Sequence, residues 1–113
     1  MAAIANFTIE QGTDFSSDVT VTDNAGDTFD LTGYSAFSGL SKGYSSFYTR
    51  TTIATTITTP STGIITLDLT AEQTANLEEG RYVYDVEIIR GSDSTVTRVI
   101  EGLITVTPRA SRV

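Results

Sequence analysis

The sequence predicts an all-β fold, an immunoglobulin-like β-sandwich of about seven strands with one short connecting helix over about residues 71–78. Three observations carry this. Thr, Val and Ile alternate with a period of two through most of the chain, which is the pattern of strands with one buried face. Clusters of Gly, Asn, Asp and Ser interrupt the alternation at short intervals, as sandwich turns do. The single helical signature, TAEQTANLEEG at 70–80, lies just before the clearest strand, where a connector is expected rather than a layer.

The first strand is expected over 4–10, with Phe7 and Ile9 inward and Thr8 and Glu10 outward. Gln11 and Gly12 bend the chain. A second strand over 17–22 alternates Val19 and Val21 with Asp18, Thr20 and Thr22. The stretch DNAGD at 23–27 reads as a turn, because Asn and Gly tolerate the left-handed backbone. Phe29 and Leu31 resume the inward phase, which predicts a hairpin. In DLTGYSAFSGL, Leu31 and Tyr34 anchor the core and Gly33 marks a corner, while the inward face of 34–39 is ambiguous. From 41 to 59 a polar, aromatic loop passes into a Thr-rich strand, read as an edge strand ending at Pro60, since proline has no N–H to give a ladder.

A strand over 64–69 places Ile65, Leu67 and Leu69 on one face. Thr70 and Gln73 form a capping box at the helix start, Ala71, Ala75 and Leu77 supply its apolar face, and Gly80 closes it. RYVYDVEIIR at 81–90 puts Tyr82, Tyr84, Val86 and Ile88 on one face. A tyrosine here, after a corner helix, suits the immunoglobulin-like architecture. GSDS at 91–94 turns the chain into a return strand over 95–107, where Glu101-Gly102 suggests a β-bulge. No repeat or linker divides the sequence, so residues 1–113 are read as one domain.

Composition bounds the function. A chain of 113 residues buries enough surface to fold without a disulfide or metal staple. It has no apolar run of the roughly 20 residues that span a bilayer, and its start lacks the basic and apolar segments of a signal peptide. The formal net charge of -7 opposes binding to phosphate backbones, so neither nucleic acid nor membrane is an expected partner. Six acids, from Glu10 to Asp30, precede the first basic residue, Lys42, and most arginines lie late. That polarity suits head-to-tail stacking of like subunits, and a solvated surface accounts for it equally.

Chemistry is sparse. With no His and no Cys, Ser–His and Cys–His nucleophile systems and all thiolate metal sites are excluded. Lys42 lies in GLSKG, which lacks the order of a phosphate-binding loop. Asp14 with Asp18, and Asp23 with Asp27, are the available carboxylate pairs. Asp23, Asn24 and Asp27 lack the full spacing of a calcium loop, and turn formation explains them. The expectation is a non-enzyme with no catalytic residue, no cofactor and no metal. The aromatics Tyr44, Phe47 and Tyr48, in a Ser-rich loop, form either a small satellite core or an interface, and the tail arginines Arg109 and Arg112 are further interface candidates.

The stretch FTIEQGTDFSSDVTVTDNAGDTFDLTGYSA resembles the opening of small virion proteins of tailed phages, notably cyanobacterial and other marine myoviruses. LDLTAEQTANLEEGRYVYDVEI followed by TVTRVIEGLITVTP resembles their second half. A similar pattern occurs in the N-terminal domain of the phage baseplate upper protein family. The resemblance spans nearly the whole chain apart from 41–60. It implies a structural subunit of a virion, baseplate or tail-associated, with capsid decoration or neck placement as the alternative. Its implied partners are other virion proteins and further copies of itself. A different class, a carbohydrate-binding β-sandwich module, would use Tyr44, Phe47 and Tyr48 as its platform.

Overall fold

The computed structural model describes residues 3–23, 25–43 and 50–108. Among these described residues, eight strands fold into an immunoglobulin-like β-sandwich. They are β1 (Ala3–Ile4), β2 (Phe7–Glu10), β3 (Phe15–Thr20), β4 (Tyr34–Ser41), β5 (Thr51–Thr56), β6 (Ile64–Leu69), β7 (Gly80–Arg90) and β8 (Val96–Thr107), and the helix α1 (Ala71–Ala75) joins β6 to β7. Their hydrogen-bonded order is β1-β8-β7-β4-β5-β6-β3, with β2 also on β8. The pairings of β1 and β2 with β8 are parallel; all the others between strands are antiparallel.

Strand β5 joins the two layers. Thr51 to Ile53 pair with β4, whereas Ala54 to Thr56 pair with β6, so the strand leaves one sheet and enters the other halfway along. The larger layer is β1/β2, β8, β7, β4 and the first half of β5; the smaller is the second half of β5, β6 and β3. The expected edge strand is therefore interior. Its few large apolar groups have a physical reason, since a strand crossing between layers has only a short inward face, filled here by buried Ile53. The free edges are β3 on one side and β1/β2 on the other.

Alternation defines the core as the sequence predicts. Tyr82, Tyr84, Val86 and Ile88 of β7 are buried opposite Ile65, Leu67 and Leu69 of β6, with Ile9, Val19, Leu40, Ile100, Ile104 and Val106 filling the space between layers. On β4 the inward phase is Ala36, Ser38 and Leu40, which leaves Phe37 outside. Ser38 is fully buried and its hydroxyl donates to the Asp85 carbonyl at 2.7 Å, which meets the cost of a polar group in the core.

The first strand breaks at Ala5 and Asn6. The Asn6 side-chain oxygen accepts from the Leu103 N–H at 3.0 Å, taking a ladder position from the backbone. The expected hairpin after Val21 reduces to a single bridge, Thr22 with Thr28, and the Phe29 N–H donates to the Val21 carbonyl at 2.9 Å before the chain crosses to β4. The bulge in β8 lies at Val99 rather than at Glu101-Gly102. Val86 pairs with Ile100 and Glu87 with Arg98, so Val99 is the extra residue, and Val99 and Ile100 turn inward in succession.

The helix has its full capping box, with the Thr70 hydroxyl accepting from Gln73 N and the Gln73 side chain accepting from Thr70 N. It ends at Ala75, short of the expected 78, and Asn76 caps it. Its buried residue is Thr74, not Ala75. The Thr74 hydroxyl donates to the Thr13 carbonyl at 2.7 Å and accepts from Gly12 N at 3.0 Å, tying the helix to the β2–β3 turn. Past the helix the Tyr82 hydroxyl donates to the Glu78 carbonyl at 2.8 Å. This is the tyrosine corner of immunoglobulin-like domains, four residues back along the chain. Gly80 opens β7 with a φ of 129° instead of capping the helix.

Candidate functional site

The residues singled out for chemistry each have a local structural use. Asp14 accepts from Ala71 N at 2.7 Å at the start of α1, and Asp18 accepts from the Thr66 hydroxyl at 2.7 Å on the neighbouring strand. Asp23 Oδ1 accepts from Ala25 N and Asp27 N, which closes the 23–27 turn. Lys42 donates to the Glu79 carbonyl at 3.1 Å and lies 4.7 Å from the Tyr82 ring centre. Among the described residues no three carboxylates are grouped to hold a metal ion. None of their helices is long and apolar enough to cross a membrane. Tyr44, Phe47, Tyr48, Arg109 and Arg112 lie outside the described residues.

The surface with the most accessible apolar character is the outer face of the larger layer. Its side chains come from the outward phases of β4, β7 and β8, and the register sets them in rows. Phe37 stands beside Glu87, and Glu87 beside Arg98; the next row is Gly39, Asp85 and Glu101; the next is Ser41, Val83 and Leu103. Phe37 is 51% exposed and Leu103 36%. At the same level as Gly39, Thr52 of β5 completes the row.

Because Gly39 carries no side chain, the middle of this face dips. The depression is a groove of about 420 Å³ lined by Phe37, Gly39, Ser41, Arg50, Val83, Asp85, Glu87 and Arg98, with Tyr84 beneath. The Arg50 guanidinium donates to the Ser41 hydroxyl at 3.0 Å. Arg98 lies 3.4 Å from Asp85 and 3.7 Å from Glu101, half exposed, so these ion pairs orient the side chain more than they stabilise the fold. Sequence reading left Phe37 unassigned because Ser, Ala and Gly around it give no phase. The β4–β7 register supplies it.

A second depression of about 260 Å³ opens at the end of the sandwich where the 23–27 turn approaches the β7–β8 hairpin. Phe29 and Tyr34 meet there edge to face, with ring centres 5.4 Å apart. Arg90 donates to the Tyr34 hydroxyl at 3.2 Å, and Asp23, Thr95 and Thr97 add polar groups to the wall. The hydrogen bond that it gives to the Tyr34 hydroxyl, and next the nearby Asp93 carboxylate, hold the Arg90 guanidinium above its ordinary value. Asp93 itself is lowered, chiefly by its bonds with Thr95.

No protein-family model and no curated protein matches this sequence. Among solved structures, InlP of Listeria monocytogenes is similar over 94% of this chain and 28% of its own, with a TM-score of 0.50 and 17% identity. The Lin-41 filamin domain is similar over 81% of each chain, with a TM-score of 0.37 and 18% identity. A family 123 glycoside hydrolase from Clostridium perfringens is similar over 95% of this chain and 23% of its own, with a TM-score of 0.42 and 10% identity. The chain thus spans about a quarter of the length of InlP and of the hydrolase. The likeness to InlP is one of fold.

Proposed function

We propose that the chain is a non-enzymatic structural subunit of a tailed-phage virion, a baseplate or tail-associated adaptor that works through contacts with other virion proteins and with its own copies. The observation that carries the assembly half of this reading is the outer face of the β4–β7–β8 layer. It combines a half-exposed Phe37 and an exposed Leu103 with charges of both signs, the composition of a contact surface rather than of a reaction centre. The virion half is supported by the sequence resemblance, in particular the L-T-G-Y segment at 31–34 and L-x-x-G-R-Y-V-Y-D-V-E at 77–87 in that order. The lack of His and Cys supports the non-enzymatic reading.

The test is mass spectrometry and electron microscopy of purified particles from infected cells. The expected result is the chain in fixed copy number at a symmetric position on the tail or baseplate. Density at the capsid surface or neck would favour the decoration alternative, and absence from particles would overturn the virion reading altogether. The end depression favours a second reading, a carbohydrate-binding module, because aromatic rings beside hydroxyls and an Asp–Arg set are the groups that grip a sugar. Binding of an oligosaccharide that is lost in Arg90→Ala would support it.

A further inference from the structure

The seam between β8 and the N-terminal strands is shorter than β8 itself. Strand β1 begins beside Ile100, so among the described residues 96–99 have no strand on the side away from β7. The Arg90 N–H donates to the Thr95 carbonyl at 2.9 Å, and Ile88 pairs with Thr97. Thr95 and Thr97 thus turn their carbonyls to β7, and by the alternation of an antiparallel ladder Val96 and Arg98 turn their backbone groups to the open side. Thr97 sends its side chain to the depression at the end of the sandwich, whose apolar wall is Val21, Phe29, Ile88 and Val99. Backbone groups open to pairing and an apolar recess beside them are the two halves of a strand-docking site, the first giving affinity and the second selectivity. We propose that this stretch takes an extended segment of another protein as an added strand, with one large apolar side chain of that segment seated in the depression.

The ladder fixes which residue of the segment that is. A strand running parallel to β8, as β1 and β2 do, places one residue opposite Thr97. Its N–H meets the Val96 carbonyl and its carbonyl meets the Arg98 N–H, just as the Ala5 N–H donates to the Glu101 carbonyl further along the same strand. Opposed residues share a face, so its side chain points where Thr97 points, into the depression. The space of about 260 Å³ is smaller than the ~300–1,000 Å³ of a drug-sized ligand's pocket, and suits a single side chain. Two nearer sources do not fit. The extra residue Val99 shifts the phase of β8 by one, so a straight prolongation of β1, in phase with Ala5, Phe7 and Ile9, would turn its outward side at this level. An edge strand of a second folded copy has its inward side chains committed to its own core, as Ile9 and Val19 are here. What fits is an arm or linker outside any folded domain, with β-branched residues around one large apolar residue. The proposal deepens the adaptor reading above and rests on it for the source of the arm, another virion protein.

The experiment is an NMR titration of the isotope-labelled full chain, with the capped heptapeptide Thr-Val-Thr-Phe-Thr-Val-Thr as the probe. The resonances of Val96, Thr97 and Arg98 are expected to shift together with those of Val21 and Phe29. Replacing the phenylalanine of the peptide by alanine, or methylating its backbone nitrogen, should weaken binding at least tenfold. On the protein, Arg98→Pro removes an open N–H and no ladder bond, and should lose binding to the same degree. Arg98→Ala keeps that N–H and should bind like the parent, whereas Thr97→Phe fills the recess and should exclude the peptide. Melting temperatures close to the parent's establish that the variants fold, and the altered peptides give their result without them. No shift at these residues up to millimolar peptide overturns the proposal, as does equal affinity for the plain and N-methylated peptides. A photo-crosslinking residue at position 97, in purified particles, then identifies the source. A bond to an extended segment of a different virion protein is expected, and a bond only to this chain or to another copy of it overturns the assignment. Peptide binding by a chain absent from particles would sink the virion reading and leave the docking site standing.

Discussion

The Tyr84 hydroxyl donates to the Ala5 carbonyl at 2.6 Å, joining residues 79 positions apart. The bond depends on a third residue. Tyr84 pairs with Gly102 across the β7–β8 ladder, and a Cβ at Gly102 would fall 2.1 Å from that same carbonyl oxygen. The glycine lets the N-terminal strand pass close, and the tyrosine fastens it there. The ring also packs on Phe7 at 5.7 Å between centres, and Phe7 in turn on Phe15, so one aromatic chain links β7, β2 and β3.

Tyr84→Phe keeps the ring and removes the bond. The expected loss is about 1–2 kcal/mol of folding stability, the range for a buried hydrogen bond whose acceptor is left behind. Urea denaturation measures it. Hydrogen exchange should localise the change to the N–H groups that pair β1 and β2 with β8. A uniform loss of protection across all strands would contradict this account.

Gly102→Ala attacks the same junction from the other strand. The new methyl group forces the backbone at Ala5 to withdraw, and the expected cost is about 1–3 kcal/mol, the range for overpacking a tight contact. The β7–β8 pairing should persist while protection of β1 is lost. A variant as stable as the parent, with β1 still protected, would refute the close approach.

The same tyrosine makes stability depend on pH in alkali. Burial pushes the Tyr84 hydroxyl up to about 12 from its ordinary 10.0, and raises Tyr82 too, with the nearby Glu78 carboxylate as the second cause. The fold favours the neutral phenol, so this contribution is complete below pH 10 and is lost as pH rises from 10 towards about 12. A shift of that size corresponds to about 2–3 kcal/mol at most. Denaturation curves taken across this window should show the decline, and Tyr84→Phe should flatten it. An equal slope in the variant would assign it to other groups.

Thr74 is the polar counterpart of these contacts. Its hydroxyl serves Gly12 N, the Thr13 carbonyl and the Ala71 carbonyl from a fully buried position. Thr74→Val keeps the shape and strands a backbone donor and an acceptor, with an expected loss of about 1–3 kcal/mol. Thermal melts of Thr74→Val and Thr74→Ser distinguish causes: serine should recover most of the loss if the hydroxyl matters, and little if the methyl packing does.

Much of the fold is legible in the sequence because alternation reports directly on burial. The β7 residues from Tyr82 to Ile88 and the β6 residues from Ile65 to Leu69 have the faces their spacing predicts. The misreadings have identifiable causes. Glu101-Gly102 looks like a bulge because glycine interrupts an apolar pattern, yet the glycine is there for Ala5, and the real bulge shows only as the adjacent pair Val99-Ile100. The Thr-rich 51–56 segment looks like an edge because edge strands and strands that change layer both lack large apolar side chains. Thr74 reads as a neutral helix residue, since nothing local announces that Gly12 and Thr13 need its hydroxyl. The outer face of the larger layer is legible least of all: Phe37 and Gly39 take their places on it only when β7 and β8 are laid beside them.

The parallel pairing of β2 with β8 also has a mechanical consequence. Phe7 to Glu10 run alongside Ile104 to Thr107 in the same direction, and Ala3 and Ile4 continue that register beside Ile100 and Glu101. Tension applied between Ala3 and Thr107 therefore slides one strand along the other and strains every bond of the seam together. Tension between Ala3 and Val96 peels the same seam open from one end, one bond at a time. A force ramp along the first direction is expected to meet a distinctly higher rupture force than along the second, and equal forces would show that the seam carries no load. The domain is thus built as a lap joint, strong along the line in which β2 and β8 lie.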